Sequence, residues 1–178
     1  MTAPKEPDAV KLIVSVFTAD ARLFPGVFKR LEERFGAIDV LSGPFALDTD
    51  YYSGEIGSPL TRKVLSFSRQ VSPGDLSSIK LLTNAMEGEF AEAGARKVNI
   101  DPGYIALEKL VLASCKNFSH RVYVGGGVYA EVTLMYERGK GFKTLEWTYP
   151  DYGTEEMRSL LVEIRKRLLA ARPTGGGS

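Results

Sequence analysis

The first strong pattern along the chain is KLIVSVFT (Lys11–Thr18), an apolar run rich in β-branched residues that predicts a buried strand. Phe24, Val27, Phe28, Leu31 and Phe35 then recur at helical spacing. Pro25 suits a first turn and Gly36 a C′ position, so an amphipathic helix follows. AIDVLS (37–42) predicts a second strand. GPFALDTDYYSGEIGSP (43–59) reads as a long connection carrying two adjacent tyrosines, Tyr51 and Tyr52. LTRKVLSFSRQV (60–71) is the third strand, with Leu65 and Phe67 on one face beside Arg69. Ser72 as N-cap and Pro73 at the first helical position open a second helix striped by Leu76, Ile79, Leu82, Met86 and Phe90. KVNI (97–100) is a short fourth strand. The order strand, helix, strand, strand, helix, strand predicts an α+β fold of ferredoxin-like βαββαβ type, an antiparallel sheet with two helices on one face.

Beyond it the pattern predicts a C-terminal extension of helix, β-hairpin, strand and helix. Asp101-Pro102 reads as the cap of a third helix holding Ile105 to Ala113. A hairpin follows, then a strand near Phe142 to Trp147. The last helix carries Met157, Leu160, Leu161, Ile164 and Leu168 on one face and Arg158, Arg165, Lys166 and Arg167 on the other, the latter reading as a solvated face. No internal repeat or linker divides the chain. The expectation is one domain over 10–171, a disordered N-terminus over 1–9, and a flexible tail over 172–178 whose PTGGGS resembles an engineered linker.

The hairpin's register follows from parity. In HRVYV (120–124), His120, Val122 and Val124 alternate with Arg121 and Tyr123; in VYAEVTL (128–134), Val128, Ala130, Val132 and Leu134 alternate with Tyr129, Glu131 and Thr133. Burying both apolar sets on one face requires a three-residue loop, Gly125-Gly126-Gly127, with Val124 opposite Val128 and Val122 opposite Ala130. Arg121 then faces Glu131 and Tyr123 faces Tyr129, and His120 sits at the edge of the apolar face. A two-residue turn would set His120 against Glu131 and mix the faces.

Composition adds limits. With 178 residues, 44% hydrophobic and 25% charged, the chain is ordinary for a soluble domain. Its net charge of +1 supplies no general attraction to nucleic acid or anionic membrane. MTAPKEPDA lacks the apolar core of a signal peptide and no run is long enough to span a bilayer, so a cytoplasmic protein is expected. One cysteine, Cys115, excludes an internal disulfide, and one histidine excludes two-His metal motifs. There is no P-loop and no G-x-G-x-x-G between strand and helix. A Cys115–His120 nucleophile pair is allowed by the sequence, although Cys115 follows LVLAS and reads as a packed side chain.

The stretches VNIDPGYIALEKLVLASCKNFSHRVYV, GVYAEVTL and EWTYPDY, with LSFSR upstream, resemble the bacterial family catalogued as domain of unknown function 4416. The resemblance covers nearly the whole chain between its ends. It implies a bacterial, cytoplasmic, single-domain protein and carries no reaction and no catalytic residues.

Two functions fit these residues. The first is binding, or turnover, of a small phosphorylated or anionic ligand such as a nucleotide. Candidate cations are Arg62, Arg69, Arg96, Lys116 and Arg121, and candidate acids are Asp101, Glu131 and Asp151. Arg121 would clamp two oxygens, Lys116 would act as a point charge, and His120 would donate or accept a proton. Asp101 or Glu131 would hold Mg²⁺ or orient the base, and Tyr123 and Asp151 would complete the ligand contacts. The second is a non-catalytic interaction module, including a homodimer joined through sheet edges or the C-terminal helix.

Overall fold

The structure, a computed structural model, describes residues 3–172 except 48, 50, 51 and 53. Tyr51 and the PTGGGS tail therefore lie outside the described residues. Among the described residues nine strands form one antiparallel sheet: β1 (Lys11–Thr18), β2 (Ile38–Leu41), β3 (Phe45–Leu47), β4 (Leu60–Phe67), β5 (Val98–Ile105), β6 (Lys109–Ser114), β7 (Val122–Gly125), β8 (Val128–Glu137) and β9 (Gly141–Thr144). The order is β2-β4-β1-β5-β6-β8-β7, with β3 also pairing β4 and β9 also pairing β8. The helices are α1 (Phe24–Phe35), α2 (Leu76–Glu89) and α3 (Glu155–Ala170). None of the described helices is long and apolar enough to cross a membrane.

All eight residues of β1 are buried, with α1 and α2 over one face and α3, Tyr152 and Ile56 over the other. Leu12, Val14 and Val16 pack with Phe24, Val27, Leu31 and Phe35 of α1 and with Ile79 and Met86 of α2. Ile13 points the other way, into a layer formed by Ile105, Leu110, Leu134 and the Met157, Leu161 and Ile164 stripe of α3. The cap expectations stand: Ser72 accepts from Gly74 N–H in a short 3₁₀ turn ahead of α2, and Gly36 closes α1 at φ 91°. The basic side of α3 is only partly solvated. Arg165 donates to Leu107 O at 2.7 Å with its guanidinium 3.5 Å from the Tyr136 ring centre, and Arg158 donates to Phe142 O at 3.2 Å.

Three expectations need correction. The sheet is larger than a four-stranded ferredoxin-like one, because β5 is an interior strand and β6, β8, β7 and β9 continue the sheet beyond it. The helix expected over Ile105 to Ala113 is a β5–β6 hairpin. Asp101-Pro102 lies inside β5, with Pro102 opposite Val14 and β6 pairing only from Gly103, so the proline faces a stretch that β6 leaves open. Gly103 permits that hairpin, since a Cβ there would stand 2.5 Å from Val111 O. Finally, the β7–β8 loop is a two-residue turn. Gly126 and Gly127 have φ of 62° and 76°, Gly125 pairs with Val128, and Val124 is an extra residue between Tyr123 and Gly125. The bulge preserves the Val122–Ala130 and Tyr123–Tyr129 pairs and abolishes Val124–Val128. Val122 and Val124 end up exposed because β7 is the edge of the sheet.

One feature positions everything that follows. β5 and β6 pair only over Gly103–Leu112, Tyr104–Val111 and Ile105–Leu110, yet β5 runs back to Val98 and β6 on to Ser114. The strands part there, and α2 turns a buried polar stripe toward the opening: Lys80, Thr83 and Glu87, at i, i+3 and i+7. Glu87 Oε1 takes the place of a strand carbonyl by accepting Ile100 N–H at 2.7 Å.

Candidate functional site

On the α3-side face, apolar residues lie under α3 and again at Phe17, which packs with Ile56 and Leu60, and polar positions stand between and beside them. The register places Arg62 opposite Phe17, Phe17 opposite Asn99, and Ser15 opposite Asp101. Farther along the sheet, Leu112 lies opposite Glu131 and Ser114 opposite Tyr129. Beyond α3 the face carries Ser15, Arg62, Asn99, Asp101, Ser114 and Glu131 beside Phe17 and Leu112, with Ser15, Arg62, Asn99 and Glu131 buried. The segment 145–153, between β9 and α3, crosses it and is tied down by Trp147 Nε1–H to Val132 O (2.8 Å) and Thr148 Oγ1 to Thr133 O (2.6 Å).

One end of this polar face is closed. Glu131 is 2% exposed and accepts from His120 Nε2 (2.9 Å) and Arg121 Nε (2.8 Å) on Oε2 and from Thr133 Oγ1 (3.1 Å) on Oε1. Parity therefore gives the correct Arg121–Glu131 pair, and the structure adds His120 to it. Residue 120 precedes β7, so His120 is released from strand alternation and stacks on Trp147, ring centres 5.2 Å apart, with Phe118 edge-on. Thr133 is the bulged residue where β8 slips against β6, which is how Glu131 and Thr133 become buried rather than facing water. Arg121 spends four of its five N–H donors internally: Glu131, Ser114 Oγ (3.1 Å), Lys116 O (2.8 Å) and Tyr149 OH (2.7 Å). Burial works against the Arg121 charge, but Glu131 and Tyr149 outweigh it and raise its pKa. Arg121 is a bracket between β6, β8 and the crossing segment, and its fork is not presented to a ligand.

The other end opens at the parting of β5 and β6. Lys80 reaches through it and donates to Asp101 Oδ1 at 2.6 Å; Asn99 Nδ2 donates to Asp101 Oδ2. Behind Asn99 stands Arg96, bonded to Asn99 and Glu87 at 2.9 Å each and clasping Glu55 at 3.1 and 2.9 Å. Burial raises the pKa of Glu87, against the pull of Ile100 N–H and Arg96. Across β1, Arg62 pairs with Asp151 and lies against the rings of Phe17 and Tyr152. Tyr152 is fully buried, which pushes its hydroxyl up to about 12; Arg62 pulls it down while Asp151 and Asp101 push it further, so these charges surround one ring. Ser15 Oγ, buried beside this hydroxyl, makes no well-formed hydrogen bond, and Arg62 Nε is likewise buried without a partner.

The expected site residues are therefore divided. His120, Arg121, Glu131 and the Lys116 carbonyl meet at the closed end, with Tyr123 nearby, 60% exposed and edge-on to Tyr129. Asp101 and Asp151 stand at the open end. Arg69 joins neither: it is exposed beyond the end of β4, with its Cβ against Gly36. Cys115 is exposed rather than packed and its Sγ accepts from Asn84 Nδ2, while His120 bonds Glu131, so the cysteine–histidine pair does not form. A cavity of about 250 Å³ lies away from all of them, lined by residues such as Val10, Tyr104, Leu107, Leu168 and Arg172. Sequence reasoning missed Lys80, Asn99 and Glu87. The one signal for Lys80 and Glu87 is the polar stripe they form with Thr83 at i, i+3 and i+7 of α2, which resembles a solvent face until β5 is placed beside it; Asn99 has no local signal.

Residues 8–168 match the sequence profile of the family described as Domain of unknown function (DUF4416). The chain belongs to this family. No curated protein and no solved structure matches it.

Proposed function

We propose that this DUF4416 chain binds a small phosphorylated ligand as its magnesium complex, at the opening between β5 and β6. The observation that carries this reading is the layering of charge. The Asp101 and Asp151 side chains are 37% and 29% exposed, whereas the cations behind them, Lys80 and Arg62, are 7% and 10% exposed. Stability gives little reason for such an arrangement, because a partly buried ion pair is no better than an apolar contact of the same size. Arg62 Nε is buried without a partner, which is unfavourable on its own. Exposed carboxylates are hard oxygen ligands, and Mg²⁺ is commonly held by one or two of them together with phosphate oxygens. Among the described residues no three His, Cys, Asp or Glu side chains form a ready-made cage, so the ligand completes the coordination. Lys80 and Arg62 hold the two carboxylates in place and offset part of the phosphate charge. This relocates the expected anion site from Arg121 to the opposite end of the polar face.

The test is a thermal-shift panel of nucleotides and sugar phosphates, each with Mg²⁺ or with chelator. A ligand at 100 times its Kd adds about 2.7 kcal/mol, a rise of roughly 5–10 °C for a domain of this size. The gain is expected only with Mg²⁺ and is expected to vanish in Asp101→Asn. Equal gains with chelator, or in the variant, would refute the metal-bridged site.

A second reading, self-association through a sheet edge, rests on β7. Val122, Tyr123 and Val124 are 69%, 60% and 40% exposed on the outer strand, with no charge among them. It predicts a dimer in sedimentation that Val122→Lys dissociates; a monomeric parent removes it.

A further inference from the structure

Trp147 and Tyr149 are held in an unusual way. An exposed aromatic side chain ordinarily packs its ring against the surface and leaves its polar tip in water. These two do the reverse. The Trp147 indole N–H is spent on Val132 O at 2.8 Å, and the Tyr149 hydroxyl accepts from Arg121 Nη2 at 2.7 Å, yet the residues remain 39% and 47% exposed. His120 stacks on Trp147 at 5.2 Å and 12°, fixing the ring from behind, and His120 is itself anchored on buried Glu131. The closed end of the polar face thus works as a mount that presents two pre-positioned rings to solvent.

The turn that carries Tyr149 also carries Asp151 of the open end, and in it Tyr152 N–H and Gly153 N–H both donate to Tyr149 O at 3.0 and 3.2 Å. Two residues of chain place the Tyr149 and Asp151 Cα atoms within about 7 Å of each other. A ligand whose phosphates and Mg²⁺ meet Asp101 and Asp151 therefore lies within reach of the rings. Sugar phosphates have no planar group for such a platform; nucleotides do, and every base offers a π-face.

We infer that the ligand is a nucleotide, its base stacked on Trp147 and Tyr149 while its phosphates and magnesium occupy the Asp101–Asp151 end. This rests on the phosphate-site reading above and adds the ring to it. The closed end is then a positioning element: Glu131, His120 and Arg121 act through the two aromatic side chains rather than on the phosphates.

Trp147 is the only tryptophan of the chain, so its fluorescence reports this contact directly. The experiment titrates the full chain with the Mg²⁺ complexes of ATP, GTP, ribose 5-phosphate and tripolyphosphate, following both tryptophan emission (corrected with free tryptophan) and thermal stability. At least one nucleotide is expected to quench emission saturably and to bind roughly tenfold tighter than tripolyphosphate, the strength of one base–aromatic stack. Tyr149→Leu and Trp147→Leu are expected to remove most of that tenfold advantage and leave tripolyphosphate affinity unchanged, with Trp147→Phe retaining it. If tripolyphosphate and ribose 5-phosphate stabilise the protein as well as the nucleotides do, and no nucleotide quenches, the nucleotide inference is overturned while the phosphate site stands. If none of the four changes stability or emission, both are overturned. Should a leucine variant fail to fold, the parent titration still decides.

Discussion

Two parts of the same sheet face use burial in opposite ways. Under α3, Ile13, Val64, Ile105, Leu110 and Leu134 form a dry layer with Met157, Leu161 and Ile164. A few residues along the same strands, Ser15, Arg62 and Asn99 are as deeply buried but polar, and Arg62 Nε lacks a partner. Within β1 the change takes two positions, from Ile13 to Ser15. Removing apolar surface from water stabilises by roughly 25 cal/mol per Å², whereas a buried polar atom needs a partner merely to break even. The first part is explained by folding. The second is what the proposed ligand site would account for.

The contrast can be broken at graded strength. The largest effect is expected at the closed end, where Glu131→Ala would strand the buried Arg121 and destabilise by about 3–5 kcal/mol, read as a lower denaturant midpoint. Next comes an apolar position on the other face of the sheet: Val14→Ala, which trims a buried side chain between α1 and the sheet, is expected to lower stability by about 2 kcal/mol. Ser15→Ala, one residue along and equally buried, is expected to change stability by less than about 1 kcal/mol, since the hydroxyl it removes makes only a poorly formed hydrogen bond with the Tyr152 hydroxyl. A loss at Ser15 as large as at Val14 would erase the distinction drawn here.

A subtler difference concerns pH. Burial raises the Glu87 pKa above its unfolded value near 4.5. The protonated form is thus favoured by folding: its contribution is fully present below the unfolded pKa and is lost as pH rises through the higher folded one. The stability of the parent relative to Glu87→Gln should therefore increase as pH falls from neutrality toward 4.5. A difference that stays flat, or runs the other way, would show that Arg96 and Ile100 N–H hold the carboxylate ionised.

How much of this could be read in advance depends on the range of the interactions. β1, α1, α2 and α3 were legible because each announces itself by local periodicity and caps, as with Pro25 and Gly36 around α1. The Arg121–Glu131 pair was legible because strand parity is a local rule. The stretch from Ile105 to Ala113 was misread as helix because Asp-Pro is a common helix opener, and only the unpaired side of β5 makes Pro102 acceptable in a strand. Lys80 and Glu87 were invisible as site residues, since their role depends on β5 and β6 parting, which no local pattern encodes. Arg121 looked like a ligand clamp because its four internal acceptors come from three separate segments.

The central claim is that the opening between β5 and β6, on the face α3 leaves uncovered, is a ligand site. It is tested most directly by recording amide ¹⁵N–¹H spectra of the labelled chain while adding Mg-nucleotide. Shifts are expected to concentrate at Ser15, Lys80, Asn99, Asp101, 147–149, 151 and 152, with the α1-packed positions Leu12, Val14 and Leu31 unmoved. Shifts confined to the cavity around Tyr104 and Leu168, or none at saturating nucleotide, would contradict it.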